Sequence, residues 1–173
     1  MKSGGVVWFT GLPSSGKSTL ARRVAARLRR DGAAVVVLDG DDVRAALAPT
    51  PAYGAEARDD FYLTLARLAA HVAAQDVIVL VAATAHLSRY RARARSLSPR
   101  FVEVFVDTPL EICSARDDKG LYAAAERGDA PELPGGALGY ERPTAPEVTI
   151  ATDTVDPVDA VTRAVVARAS APG

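Results

Sequence analysis

Gly11-Leu12-Pro13-Ser14-Ser15-Gly16-Lys17-Ser18 carries the spacing G-x-x-x-x-G-K-S, which suits the grip of a polyphosphate. Glycines let the backbone curl until successive N–H groups converge. The start of a following helix adds unpaired N–H groups and a partial positive charge. Lys17 has the reach for the outer phosphates, and the Ser18 hydroxyl suits Mg2+. The plain alternative is a glycine-serine turn with a solvated lysine. Against it stand the apolar run Val6-Val7-Trp8-Phe9 before the loop and a helical pattern after it, the strand–loop–helix context that the motif requires.

A second group with chemical potential is Asp39-Gly40-Asp41-Asp42-Val43-Arg44, at the end of the apolar run Val35–Leu38. In a parallel sheet the carboxyl ends of the strands face the ligand crevice, so acids there meet phosphates and their metal. Asp39 and Asp41 are therefore read as functional acids. Asp42 reads either as a third functional acid or as the N-cap of a short helix over 43–48. His86 follows the third apolar run and reads as a substrate contact or a loop cap, since the other histidine, His71, is not near it in sequence. Arg89, Arg91, Arg93 and Arg95 read as a solvated helix surface, or with Arg89 or Arg91 turned to an anionic substrate. Cys113, the lone cysteine, forms no internal disulfide and reads as a small buried hydrophobe.

The elements that must position these groups follow from periodicity. Strands are expected at 5–9, 33–38, 77–83, 101–106 and 148–150, and the second is read as fully buried because Val35–Leu38 is continuous. Helices are expected at 17–30 with Leu20, Val24 and Leu28 inward, and at 55–74 with Phe61, Leu65, Leu68 and Val72 inward. Further helices are expected at 110–117 and from Pro157 on, where Val158, Val161 and Val165 face inward. Residues 118–143, rich in Gly, Pro and charge, form an insertion after the fourth strand that reads as a lid. The result is an α/β fold, with 1–173 a single P-loop kinase domain whose parallel sheet is flanked by helices.

The 21 basic and 21 acidic residues cancel, which gives no support to a nucleic-acid-binding role. No run approaches the roughly 18 uncharged apolar residues of a membrane span. With no export segment legible at the start, the cytoplasm is the expected location.

Taken together, the stretches G-L-P-S-S-G-K-S-T (11–19), L-D-G-D-D-V-R (38–44), F-V-E-V-F-V-D-T-P-L-E-I-C (101–113), R-D-D-K-G-L-Y (116–122) and Y-E-R-P…P-E (140–147) resemble the adenylylsulfate kinase family. The resemblance implies a five-stranded parallel P-loop core with a lid, often as a homodimer. It implies transfer of the ATP γ-phosphoryl group to the ribose 3′-hydroxyl of adenosine 5′-phosphosulfate (APS). The 11–19 loop, with Lys17 and Ser18, would hold ATP and magnesium, and Arg116 would lie near the nucleotide. Asp39 and Asp41 match the family's acidic pair, which implies that Asp41 would meet the acceptor hydroxyl and Asp39 would face the magnesium water shell, two assignments that can be exchanged. Arg44 would touch the phosphosulfate, Tyr53 would stack on the substrate adenine, and Lys119, Leu121 and Tyr122 would border that nucleotide.

The chain also departs from the family. Its E-N-x-R-R is matched by Asp60-Phe61-Tyr62-Leu63-Thr64, with Arg58 kept just before it. Its F-I-S-P-Y-R is matched by Ala83 to Ser88, and its lid F-T-G-I by Leu133-Pro134-Gly135-Gly136. The donor half is thus preserved and the acceptor half altered. A kinase for another nucleotide or hydroxyl metabolite, and a non-catalytic nucleotide-binding protein, stand beside the APS reading. The partner in every enzymatic case is a small molecule.

Overall fold

The computed structural model describes residues 4–98, 100–117, 119–130, 132–136 and 138–170. Its strands are β1 (Gly5–Thr10), β2 (Val35–Asp39), β3 (Ile78–Ala82), β4 (Val102–Asp107) and β5 (Val148–Ala151). Its helices are α1 (Lys17–Arg30), α2 (Gly40–Ala46), α3 (Ala55–Ala73), α4 (Ser88–Leu97), α5 (Leu110–Arg116), α6 (Leu121–Glu126) and α7 (Pro157–Ser170). The strands form one parallel sheet in the order β2-β3-β1-β4-β5.

Alternation along β1 shows how the core is divided. Val7 and Phe9 point to a layer holding Leu20, Val24 and Leu28 of α1 with Val161 and Val165 of α7. Val6 and Trp8 point to the opposite layer, holding Phe61 and Leu65 of α3, Tyr90 of α4 and Phe101. A sheet covered on both faces needs apolar residues at odd and even positions alike, which is why its inner strands read as continuous runs.

Three expectations are corrected. The second strand is half-exposed, with Val36 open to solvent, because it lies at the sheet edge and has a neighbour on one side only. The helix after it begins at Gly40 rather than near residue 43, and its N-cap is Asp39, whose carboxylate accepts from the Asp41 N–H at 3.1 Å. Asp42 therefore sits in the first turn, exposed, and is not the cap. On α3 Leu68 is exposed, and the inward stripe runs through Phe61, Tyr62, Leu65, Ala66, Ala69 and Ala73. The arc is wider than a strict 4–3–4 spacing because this helix packs against the sheet and α4 together.

The register fixes the level of the two candidate groups. Asp39 pairs with Ala82, and Ala82 pairs with Phe9, two residues before Gly11. The acids and the phosphate loop thus leave the same edge of the sheet, two strands apart, about 10 Å at the usual strand spacing.

Candidate active site

The loop between β1 and α1 is shaped by contacts that only a folded chain supplies. Gly11 has φ of 151°, and a Cβ there would stand 2.5 Å from the Val106 carbonyl oxygen. Gly16 has φ of 99°, a left-handed turn that launches α1. The carbonyls of the loop are held from outside. The Tyr122 hydroxyl donates to the Pro13 oxygen at 2.9 Å, and the Thr108 hydroxyl donates to the Ser15 oxygen at 3.0 Å. Arg116 adds a longer contact to the same Ser15 oxygen at 3.4 Å. In a trans peptide the N–H points opposite to the C=O. Holding these two carbonyls therefore turns the N–H groups of Ser14 and Gly16 to the other side, into the cradle. That is a fit for a triphosphate, made from the chain's own donors.

Lys17 is buried, and its ammonium folds onto the carbonyl oxygens of Gly11, 3.0 Å, and Leu12, 2.7 Å. Burial pulls its pKa down to about 8, against the opposing pull of nearby groups that include Asp41 and Asp39. Ser18 is half-buried in the first turn of α1 and Thr19 is exposed. Asp39 is buried and within 3.5 Å of the Arg22 guanidinium, while exposed Asp41 is ion-paired to Lys119 from the segment before α6. Among the described residues no three His, Cys, Asp or Glu side chains converge as a metal cage. A magnesium ion carried with phosphates would need few protein ligands.

Beside this lies a second group. Arg44 and Arg58 are buried, and their guanidiniums donate to successive carbonyls of the 51–53 loop. Arg58 also donates to the Glu132 carbonyl at 2.7 Å, which ties α3 to the 118–143 insertion. His86 is buried with an unpartnered Nδ1, edge-on to Tyr90. Burial, reinforced by the Arg58 and Arg89 charges, lowers its pKa to about 4, so it is neutral near pH 7. Leu133 and Leu121 turn into a small apolar cluster with Cys113, Tyr122 and Leu12, so the insertion rests on the phosphate loop through side chains of both. Cys113 is the buried hydrophobe expected.

The arginines of α4 follow neither reading as a set. Arg89 pairs with Asp59 at 2.6 Å on the surface. Arg91 turns inward, but to Glu103 at 2.9 Å and to the carbonyls of Ala85 and Glu141. It is a clamp between the end of β3, strand β4 and the return of the insertion. The contacts made by Thr108 and Tyr140 and the clamp role of Arg91 had no local signal. The Tyr140 hydroxyl meets the Thr10 hydroxyl at 2.8 Å, across 130 residues of chain, and Thr10 donates to the Thr84 carbonyl at 2.6 Å.

A parallel sheet with a glycine-shaped anion cradle at the mouth of β1, and acids level with it where β2 passes into α2, defines a P-loop kinase. Comparison with known proteins makes this narrower. The adenylylsulphate kinase family model matches residues 3–151. An adenylyl-sulfate kinase of Paraburkholderia xenovorans is 40% identical over 161 residues, covering 92% of this chain and 90% of that protein. One from Chloroflexus aurantiacus is 43% identical over 152 residues, covering 88% and 82%. The solved APS kinase of Mycobacterium tuberculosis, in complex with AMPPNP and APS, superposes with a TM-score of 0.87 at 34% identity, covering 99% of this chain and all of that one. The chain belongs to the adenylylsulphate kinase family, and is an ATP-dependent phosphotransferase acting on a hydroxyl group. No helix among the described residues is long and apolar enough to cross a membrane.

Proposed function

We propose that the chain phosphorylates the ribose 3′-hydroxyl of adenosine 5′-phosphosulfate with ATP, releasing ADP. The observation that carries this reading is that Lys17 in its cradle and the acids Asp39 and Asp41 leave the same edge of the sheet. The acceptor hydroxyl oxygen attacks the γ-phosphorus in line, the bond to the β–γ bridging oxygen breaks, and the hydroxyl proton passes to Asp41. Lys17 and the inward N–H groups of the 11–19 loop hold the charge that builds on the transferred group. Magnesium bound with the triphosphate would neutralise phosphate charge beside Ser18 and Asp39.

The rest of ATP extends past Arg116 toward the open recess lined by Asp107, Pro109, Ala151, Thr152 and Asp153 at the carboxyl ends of β4 and β5. The acceptor lies on the other side, bordered by Tyr53, Arg44, Arg58 and His86, with Lys119, Leu121 and Leu133 brought over it by the 118–143 lid. Asp41 is released from Lys119 on acceptor binding. Both side chains are exposed, and a solvated pair of this kind costs about 1 kcal/mol or less to separate. We also propose a homodimer, which light scattering on the purified chain tests directly.

A coupled ADP-release assay over APS, other nucleotides and small alcohols tests the function. APS is expected to give the highest kcat/KM. Faster turnover of another acceptor would move the assignment to that compound. ADP release that no acceptor stimulates would remove the kinase reading.

A further inference from the structure

We propose that Thr10 and Tyr62 act as positioning residues. Their hydroxyls grip the Thr84–Ala85 peptide bond, at the seam between the acids and the phosphate loop, and so fix the line along which the acceptor hydroxyl meets the transferred group. The proposal rests on the kinase reading and adds to it two residues that act through the backbone. In the strand order β3 lies between β2 and β1, so the segment that leaves its carboxyl end, residues 83–87, parts the acids from the cradle. It packs on both neighbours. On one side a Cβ at Gly40, between Asp39 and Asp41, would stand 3.3 Å from the Ala82 oxygen and 3.3 Å from the Ala83 Cβ. On the other the Ala83 N–H donates at 3.1 Å to the carbonyl of Phe9, close before Gly11.

Ala85 is buried and has φ of 43°, a left-handed conformation that strains a residue with a Cβ. Such strain persists only where the surroundings over-determine the backbone. Here four elements do so. The Thr10 hydroxyl, at the end of β1, donates to the Thr84 carbonyl at 2.6 Å. The N–H of the same peptide, on Ala85, donates to the Tyr62 hydroxyl of α3 at 3.0 Å. Arg91 of α4 donates to the Ala85 carbonyl at 2.5 Å, and the Glu141 N–H, on the return of the insertion, donates to that of His86 at 2.8 Å. A hydroxyl carries one proton. Thr10 gives its own to Thr84, so the Tyr140 hydroxyl, 2.8 Å away, is the donor to Thr10 and orients it. Tyr62 is placed by its ring, stacked on Tyr90 with centroids 4.4 Å apart. The Thr84–Ala85 peptide is thus pinned at its oxygen from the sheet and at its nitrogen from the helix layer, and its plane cannot turn. Transfer between two held partners needs such fixed spacing, since a misplacement of about 1 Å can cost about 100-fold in rate.

The test is steady-state turnover of APS, read beside titration of ADP and then of AMP into ADP-saturated protein. Tyr62→Phe keeps the stacked ring and removes the hydroxyl. Thr10→Val keeps the shape and removes the donor. Each is expected to lower kcat about 10- to 100-fold, with the ADP and AMP Kd within about twofold of the parent. Thr10→Ser keeps the hydroxyl and is expected to hold kcat within about threefold of the parent. If Thr10→Val fails to bind ADP, Tyr62→Phe, on another element, carries the comparison. A lower melting temperature with kcat unchanged well below it would overturn the proposal, because the hydroxyls would then support the fold alone. Loss of ADP or AMP affinity in step with kcat would also overturn it, since the hydroxyls would then shape a binding site rather than the transfer step. Failure of the kinase reading looks different. A parent chain that turns over no acceptor removes both, whereas a parent that turns over APS beside variants that match it removes the positioning role alone.

Discussion

Replacing Thr108 by valine removes one hydroxyl and leaves the size of the side chain nearly unchanged. That hydroxyl is buried and donates to the Ser15 carbonyl at 3.0 Å, in the middle of the phosphate loop. The only other donor on that oxygen among the described residues is Arg116, at 3.4 Å and from an exposed side chain. A buried carbonyl left without a good partner costs about 1–3 kcal/mol. The peptide can relieve this by rotating, but rotation carries the Gly16 N–H out of the cradle. With Arg116 giving partial compensation, about 1–2 kcal/mol is expected to fall on nucleotide binding, a rise in the ADP Kd of about 5- to 30-fold. Isothermal titration of ADP reads this, with Thr108→Ser as the variant that keeps the hydroxyl and should bind like the parent. A lower melting temperature with an unchanged ADP Kd would refute the reasoning. The hydroxyl would then support the fold without aiming the loop's N–H groups.

Other consequences follow from the same contacts. Asp41→Asn is expected to lower kcat while leaving the ADP Kd nearly unchanged, because in the proposed reaction the carboxylate takes the acceptor proton; parallel titration and steady-state rates separate the two. His86 has a folded pKa of about 4 against an ordinary 6.5, so the unfolded chain binds the extra proton first. Its contribution to stability is complete above pH 6.5 and is lost as the pH falls toward 4, and a His86→Gln variant should show a flatter dependence of melting temperature on pH in that window. Among the described residues, Arg91→Met leaves buried Glu103 with only Arg95, at 3.3 Å, as a charge partner, and frees the Ala85 and Glu141 carbonyls. Breaking a buried pair from one side costs about 3–5 kcal/mol, and the lower end is expected in urea unfolding because Arg95 remains.

Much of the architecture was legible because its signals are local. A run of apolar residues, a glycine-rich turn and a 3.6-residue period each occupy one short window, and they located all five strands and the phosphate loop. Val35–Leu38 misled because the same β-branched run suits an edge strand and a central one, and only the strand order separates them. Leu68 misled in a similar way. A spacing of three or four places a residue near the inner face, but the angle at which α3 meets the sheet decides whether it is covered. Asp39, read as a functional acid, is also the cap of α2, a role visible only once the helix start was known.

The arginines show the limit most clearly. Arg44 and Arg58 were read toward the substrate, while Arg89 and Arg91 were open to a surface or an anion-binding reading. In the fold two of them grip loop carbonyls, one pairs on the surface and one is buried on Glu103. The sequence by itself determined the strand–loop–helix cradle, the acids at the end of the second strand and the family to which the chain belongs, because backbone patterns repeat over a few residues. Only the tertiary structure decided which guanidinium meets which oxygen and which hydroxyl aims the cradle. Those partners lie up to 109 residues apart along the chain, as with Tyr122 and Pro13, and a polar group takes whichever partner the packed elements bring within about 3 Å.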